Sequence, residues 1–548
     1  MFEKKVLPGK HCLTNLQRSV QNLKEGDVLS LEHGIYHFYP EECLHKFYYV
    51  SNNDSGSRRI ALLFDHKKNV IVEGNGAKIV VHGRISPFVV DACEKLTIRN
   101  LTVTYSDKFY FQAEIIKKKG DELVLRPCDG FRYDLTDGIF RLYGENWENV
   151  FYDKLVLCQE FDKKLRRVAE KSPVVLFRMS DAIRSNLPLN CYDFRFSQLS
   201  DGSISVKGNT DDLFTEGNVL VFSAEGRLND VFLLTESKDI CLENVDILSA
   251  PGMGVICQLC ENVVLKGVRV RTEEGDTGFI STDADATHFV HCTGQIILED
   301  CVFEHMMDDA SNIHGIYTTV AQIQPGELIA ELNHYQQFGI NSFRPGDTIS
   351  VWKLNTTTLR CQVKVISSEL IEPNFIKILV DDASGVCLGD LLENADRMPE
   401  VLIRGCRTGW NRPRGFLIAT GKKAVVENCT FYNSECGIAS YGYVNYWFES
   451  GGVRDLTIQN NLFEDCCYGC VSDGAAIILQ PEAQREQNGP YFHHNIKILN
   501  NTFRSQAGYN LIAYGTDGIE YRGNRTGDGG SGGDPKVRLL DCEDVAIE

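Results

Sequence analysis

The chain has 548 residues, 43% hydrophobic and 24% charged, with 75 acidic against 56 basic side chains. A length beyond one ordinary compact domain means either several domains or a repeat that grows along one axis. The excess of 19 negative charges argues against a nucleic-acid or anionic-membrane partner, which needs a basic face, and no run of about 18 apolar residues offers a membrane span.

The chain opens with MFEKKVLPGKHCLTNLQRSV, which lacks the apolar centre of a secretory leader. Cys241, Cys301, Cys406 and Cys429 fall inside apolar, strand-like stretches and read as small reduced side chains, not as a disulfide framework. Together these features read as a cytoplasmic protein.

Further along, one short pattern returns: alternating apolar residues, a pivot of Asn, Asp or Gly, then another apolar pair. It runs EKLTIRNLTVTY, KDICLENVDIL, ENVVLKGVRVRT, GQIILEDCVFEH, EVLIRGCRTGW, KAVVENCTFYN, RDLTIQNNLFED and NIKILNNTFRS. The pivots are Asn100, Asn244, Gly267, Asp300, Gly405, Asn428, Asn460 and Asn500, with neighbours 23 residues apart at 244 to 267 and at 405 to 428. Each unit is two period-two strands hinged at a residue that tolerates left-handed backbone. So small a unit cannot bury its own apolar face, so the units must stack. The spacing predicts an all-β chain built as a right-handed parallel β-helix, with the pivot asparagines in a ladder and Cys406 and Cys429 stacked inside. The leucine spacing and helices of a leucine-rich repeat are missing.

Residues 107–228 and 318–397 break the pattern with longer alternating strands. FTEGNVLVFS at Phe214–Ser223 and FRPGDTISVW at Phe343–Trp352 both look like a turn feeding a strand of a small antiparallel barrel. The expected organisation is therefore β-helix coils over 1–106, 229–317 and 398–548, with two inserted barrel-like domains between them. The tract GDGGSGGDPK after Thr526 reads as a flexible loop before a last strand.

Carboxylates mark the candidate site. STDADATHF holds Asp283 and Asp285, and MMDDASNIHG holds Asp308 and Asp309. Coils in a β-helix are separated by about 4.8 Å, and Asp308 lies one 23-residue repeat after Asp285. It should sit nearly on top of Asp285, with Asp309 beside it. Carboxyls this close repel, so one loses its proton easily and another keeps it. That is the condition for a general acid beside a general base, as glycosidic hydrolysis requires. Three aspartates over two coils, two of them able to hold a water, predict inversion. Asp after a strand is often a plain turn former; the coil-period spacing and nearby His288, His291, Asn312 and His314 favour a site. Calcium is the rival ligand, but no repeated calcium loop is present.

STDADATHF followed by MMDDASNIHG resembles glycoside hydrolase family 110, the α-1,3-galactosidases that act on blood-group-B-type or linear α-1,3-galactose glycans. The resemblance covers most of the chain. It implies a β-helix with inserted β-barrels, an inverting reaction without metal or cofactor, and a galactose-terminated oligosaccharide or glycoconjugate as partner. Asp285, Asp308 and Asp309 would be catalytic. The arrangement is also similar to that of the polygalacturonases. The chemistry suggests that Asp308 and Asp309 orient and deprotonate the water and Asp285 protonates the leaving oxygen, with the opposite assignment open because sequence fixes neither distance nor pKa. A family often exported sits awkwardly with a cytoplasmic reading.

Asp283, Asn312 and His314 are expected to support substrate binding. So are Trp410 and Arg412 in TGWNRPRG and Glu449 in YGYVNYWFESGG, a segment that also holds Tyr446 and Trp447. CQLC at 257–260 and CYGC at 467–470 lie too many coils apart to share zinc. An exposed coil end or the barrels offer a surface for a homodimer. Two alternatives stand beside the hydrolase: a calcium-dependent polysaccharide lyase, which would want a basic groove, and a non-catalytic carbohydrate-binding β-helix.

Overall fold

The computed structural model describes residues 3–151, 155–178, 191–208, 213–223, 226–470, 474–505, 508–527 and 536–548. All eight predicted pivots have left-handed backbone, with φ between +51° and +65°. A left-handed residue between two half-strands turns the chain while both halves keep their apolar side chains inward. The coils then stack in parallel register. Ile240 pairs with Val263, and the column continues through Ile296, Val401, Ala424, Leu456, Ile496 and Ile519. Every member of that column is buried. Phe431, Phe463 and Phe503 stack face to face in the same interior, at 4.7 and 4.8 Å, the inter-strand spacing itself.

Among the described residues, the coils make two long, mainly parallel sheets, one of 21 strands and one of 13. The first carries the pivots. The second carries Val255–Gln258, Thr287–Val290, Ser311–Ile316 and Phe416–Ile418 as consecutive neighbours. These strands hold the candidate site.

The expected amide ladder exists, but one residue after the pivots. Asn461 N–H and its side-chain amide both donate to Asn501 Oδ1, and Asn501 does the same to Asn524 Oδ1, at 2.9 to 3.1 Å. Buried Cys301, Cys406 and Cys429 occupy the same position on earlier coils, and Cys429 N–H donates to Asn461 Oδ1 at 2.8 Å. The residue after the pivot points inward, so its side chain can satisfy main-chain groups that the turn leaves unpaired. All twenty cysteines are free thiols.

Both insertions are β domains. In the second, six strands between Thr318 and Asn394 close into a barrel. In the first, nine strands form a sheet whose end strands, Cys191–Asp193 and Arg195–Gln198, are separated only by Phe194. The sheet therefore curls until its two ends meet in one stretch of chain, around buried Phe111, Phe140, Phe177, Phe196 and Phe222. Residues 528–535 of the glycine-rich tract lie outside the described residues.

Asn501→Leu removes the acceptor for two Asn461 donors in the dry interior. It should lower stability by about 3 kcal/mol, read as a drop in the thermal midpoint by circular dichroism. Asn428→Gly, at an exposed left-handed pivot, should change stability by about 1 kcal/mol or less.

Candidate active site

Three successive coils deliver the charged groups to one corner, each in the turn that precedes a strand of the second sheet. Asp285 precedes Thr287–Val290, Asp308 and Asp309 precede Ser311–Ile316, and Arg412 and Arg414 precede Phe416–Ile418. Thr287 pairs with Ser311, so the local repeat is 24 residues, one more than the aspartate spacing suggested. Asp309 thus neighbours Asp285 along the ladder, and Ala286 N–H donates to the Asp309 carbonyl at 3.0 Å. Asp308 is still carried into the same pocket by the turn.

That pocket has a volume of about 180 Å³ and is lined by the three aspartates among other residues. Its cations come from two directions. Arg227, at the end of the first insertion, donates to Asp308 Oδ2 at 2.6 Å, and Arg412 lies 3.8 Å from Asp308 Oδ1. Arg414 grips Asp309 through both oxygens, at 2.8 and 3.0 Å, and donates its third contact to the Tyr443 hydroxyl at 2.7 Å.

Behind Asp285 runs a chain of imidazoles. His288 Nδ1 lies 2.6 Å from Asp285 Oδ2, and His288 Nε2 lies 2.8 Å from His314 Nε2. Glu449 reaches His314 because Glu449–Ser450 pairs antiparallel with Gly315 and Ile316. Its carboxylate accepts from Asn52 at 2.8 Å and from Asn312 at 3.2 Å.

These surroundings split the carboxyls. Burial, reinforced by the nearby Asp308 charge, pushes Asp285 well above the usual carboxylate range. Burial also acts on Asp308, but Arg412, Arg227 and Arg414 outweigh it and hold Asp308 low. Asp309 is pushed up by burial and by Asp308 and Asp285, against the pull of Arg414. Burial lowers both His288 and His314 to about 4. Glu449 stays low: His314, His288, the Asn312 amide and Arg414 offset its burial.

His288, His314 and Glu449 also bring three donor atoms within 4.8 Å of one another, one such group among the described residues. Their ring centroids are 5.0 Å apart across a 2.8 Å nitrogen contact, so the two nitrogens meet nearly head-on. That geometry suits an N–H···N bond, whereas ligands of one metal ion aim their lone pairs at a common point.

Of the residues expected from sequence, Asp285, Asp308, Asp309, Asn312, Arg412 and Glu449 line the pocket, and His314 stands directly behind it. Two do not. Asp283 turns toward the Ser223 hydroxyl at the end of the first insertion. Trp410 packs outside the pocket against Arg407, at 4.6 Å, and Tyr432, because its left-handed backbone directs it to the outer corner. Trp447 supplies the aromatic wall instead, with Arg227 at 5.8 Å from its ring. Sequence reasoning missed Asn52, Arg227, Arg414 and Tyr443. The RPR triplet displays Arg414, whereas Asn52 and Arg227 reach the site only through the fold.

No family model matches the chain. It is 32% identical to alpha-1,3-galactosidase A of Shewanella woodyi, over 94% of this chain and 83% of that protein. The chain belongs to the alpha-1,3-galactosidase family. Within that family, which is the one the aspartate motifs resemble, it is 27% identical to alpha-1,3-galactosidase A of Bacteroides fragilis, over 94% of this chain and 84% of that protein. Identity to alpha-1,3-galactosidase B of Bacteroides thetaiotaomicron is also 27%, over 93% and 82%. Among solved structures, it is similar to a mannuronan C-5 epimerase A-module from Azotobacter vinelandii, with a TM-score of 0.38 at 9% identity over 96% of this chain and 91% of that one.

Arg227→Met should leave Asp308 without its nearest cation and cost about 3 kcal/mol of stability. Asp308 is depressed in the fold, so its contribution is present above the unfolded carboxylate value and is lost as pH falls through the folded one. Thermal midpoints across pH should therefore differ most between wild type and variant at neutral pH and converge in acid. Carbon NMR titration of the Asp308 carboxyl should move upward in the variant.

Proposed function

We propose that this protein hydrolyses terminal α-1,3-linked galactose from oligosaccharides and glycoconjugates by a single displacement that inverts the anomeric centre. The observation that carries the reading is the split among three converging aspartates, two buried and one half-buried, in a chain that belongs to the alpha-1,3-galactosidases. Asp285 and Asp309 are pushed toward the protonated form while Asp308 is pushed toward the ionised one. Inverting hydrolysis asks for distinct carboxyl environments on the two faces of the sugar, one side giving a proton to the leaving oxygen and the other taking a proton from water.

The rest of the pocket fits a single neutral sugar ring. Trp447 offers an apolar face and Asn52, Asn312 and Tyr443 offer hydrogen-bonding groups. Arg227, Arg412 and Arg414 are engaged with aspartates, which leaves them poorly placed to hold the acidic polymer of a lyase. Proton donor and acceptor are both side chains, so the reaction needs no metal-activated water.

Proton NMR of Gal-α-1,3-Gal with the purified protein and EDTA tests this directly. β-Galactose should appear first, at a rate that EDTA leaves unchanged. Asp308→Asn should slow release by about 10²- to 10⁴-fold. First appearance of α-galactose would sink the inverting mechanism, and retained turnover in Asp308→Asn would remove Asp308 from the chemistry.

A further inference from the structure

An inverting hydrolase must take a proton from its attacking water, and the hydrogen bonds behind Asp285 indicate where that proton goes. His314 Nδ1 lies 2.5 Å from the Gly315 carbonyl oxygen. A carbonyl only accepts, so this nitrogen carries a hydrogen. Burial keeps His314 and His288 neutral near pH 7, so each ring has one bare nitrogen. In His314 the bare nitrogen is Nε2, and His288 Nε2, 2.8 Å away, must donate to it. His288 Nδ1 is then bare, and Asp285 Oδ2 at 2.6 Å must be the donor. One backbone carbonyl thus sets the tautomers of two rings and ties the Asp285 proton to the oxygen facing His288. Should that proton cross to His288, Asp285 becomes a carboxylate. In both forms the oxygen not engaged with His288, Oδ1, carries only lone pairs, and Asp285 lines the pocket.

We propose that Asp285, His288, His314 and Glu449 form a relay that deprotonates the attacking water. The proposal rests on the hydrolytic reading above. As the water oxygen bonds to the anomeric carbon, the bond to the leaving oxygen breaks and its electron pair departs with that oxygen. The water proton passes to Asp285 Oδ1, the Oδ2 proton to His288 Nδ1, and the His288 Nε2 proton to His314 Nε2. The positive charge ends on His314, whose Nε2 lies 3.6 Å from the Glu449 carboxylate. The leaving oxygen draws its proton from the adjacent Asp308–Asp309 pair. This reverses the role that the sequence suggested for Asp285. It also accounts for a buried glutamate with two amide donors and, among the described residues, no arginine or lysine ion pair of its own. Asp285 is the catalytic residue of the relay, and His288, His314 and Glu449 are positioning residues. The titratable and charged groups facing His288 are Asp285, His314, Glu449, Arg227, Asp308 and Asp230, and those facing His314 are Glu449, His288 and His291.

Two substrates separate the water side of the reaction from the leaving-group side. Gal-α-1,3-Gal needs a proton donor, whereas α-galactosyl fluoride expels fluoride without one. His288→Gln and His314→Gln should cut kcat on both substrates by a similar factor, about 10²-fold, with KM little changed. Asp308→Asn should lose far more on the disaccharide than on the fluoride. Histidine variants that spare the fluoride would move Asp285 to the leaving-group side and overturn the relay, and so would variants that spare both substrates. Nitrogen-15 NMR of the wild type gives a test that no folding defect can blur. His314 should show a protonated Nδ1 and bare Nε2, and His288 a protonated Nε2; the reverse tautomers overturn the proposal. A divalent ion bound one per chain, and lost in His314→Gln, overturns it as well. A wild type silent on both substrates would instead sink the hydrolytic reading itself, which the nitrogen spectrum can distinguish from a failed relay.

Discussion

A coil of two short strands can close an apolar interior only if the chain between them turns without flipping its side chains outward. The left-handed pivots meet that demand, and everything else in the molecule follows from it. Asn, Asp and Gly carry the conformation at low cost, since Asn and Asp bond locally and Gly lacks a Cβ. Because the pivot holds each coil to the same path, the next residue always points inward. There the thiols of Cys301, Cys406 and Cys429 give way to the amides of Asn461, Asn501 and Asn524. The stacked register then carries the turns before the second sheet to one corner, coil after coil, and three such turns make the pocket.

Placing three aspartates and a glutamate in so dry a corner is costly unless cations and amides surround them. The fold draws these from far apart in sequence. Arg414 arrives on the next coil, Arg227 at the exit of the first insertion, and Asn52 from a turn near the start of the chain. Each meets a specific carboxyl, so the pocket is a set of distinct environments in one small volume. Asp308 is held ionised by guanidinium groups, while Asp285, buried against His288 and close to the Asp308 charge, is pushed toward its protonated form.

How much of this the sequence displayed depends on range. The pivots were legible because a left-handed residue and its flanking alternation are local, and all eight stand where the pattern placed them. The aspartate triad was legible because a coil repeat converts sequence spacing into spatial adjacency. The conversion failed by one residue, since Thr287 pairs with Ser311 at a spacing of 24 and brings Asp309, not Asp308, beside Asp285. Trp410 was misjudged for a related reason: a turn fixes which residues are near, not which way each points. Arg227 and Asn52 carried no local signal. Their partners Asp308 and Glu449 lie 81 and 397 residues away, and only the assembled fold brings them together.

The second barrel interrupts the stack in the middle of the site. Strand Thr293–Glu299 pairs with Glu400–Arg404, and Glu299 meets Arg404 across 105 residues of chain. The barrel's first and last strands pair with each other at Thr318 and Leu392, so the inserted chain brings its own ends together. A loop that closes itself spares the coils most of the entropy of spanning it. The stack beyond the barrel can therefore be entered as though two coils were consecutive, and the pocket draws on residues from both sides of that interruption, joined by contacts as distant in sequence as Asn52 and Glu449.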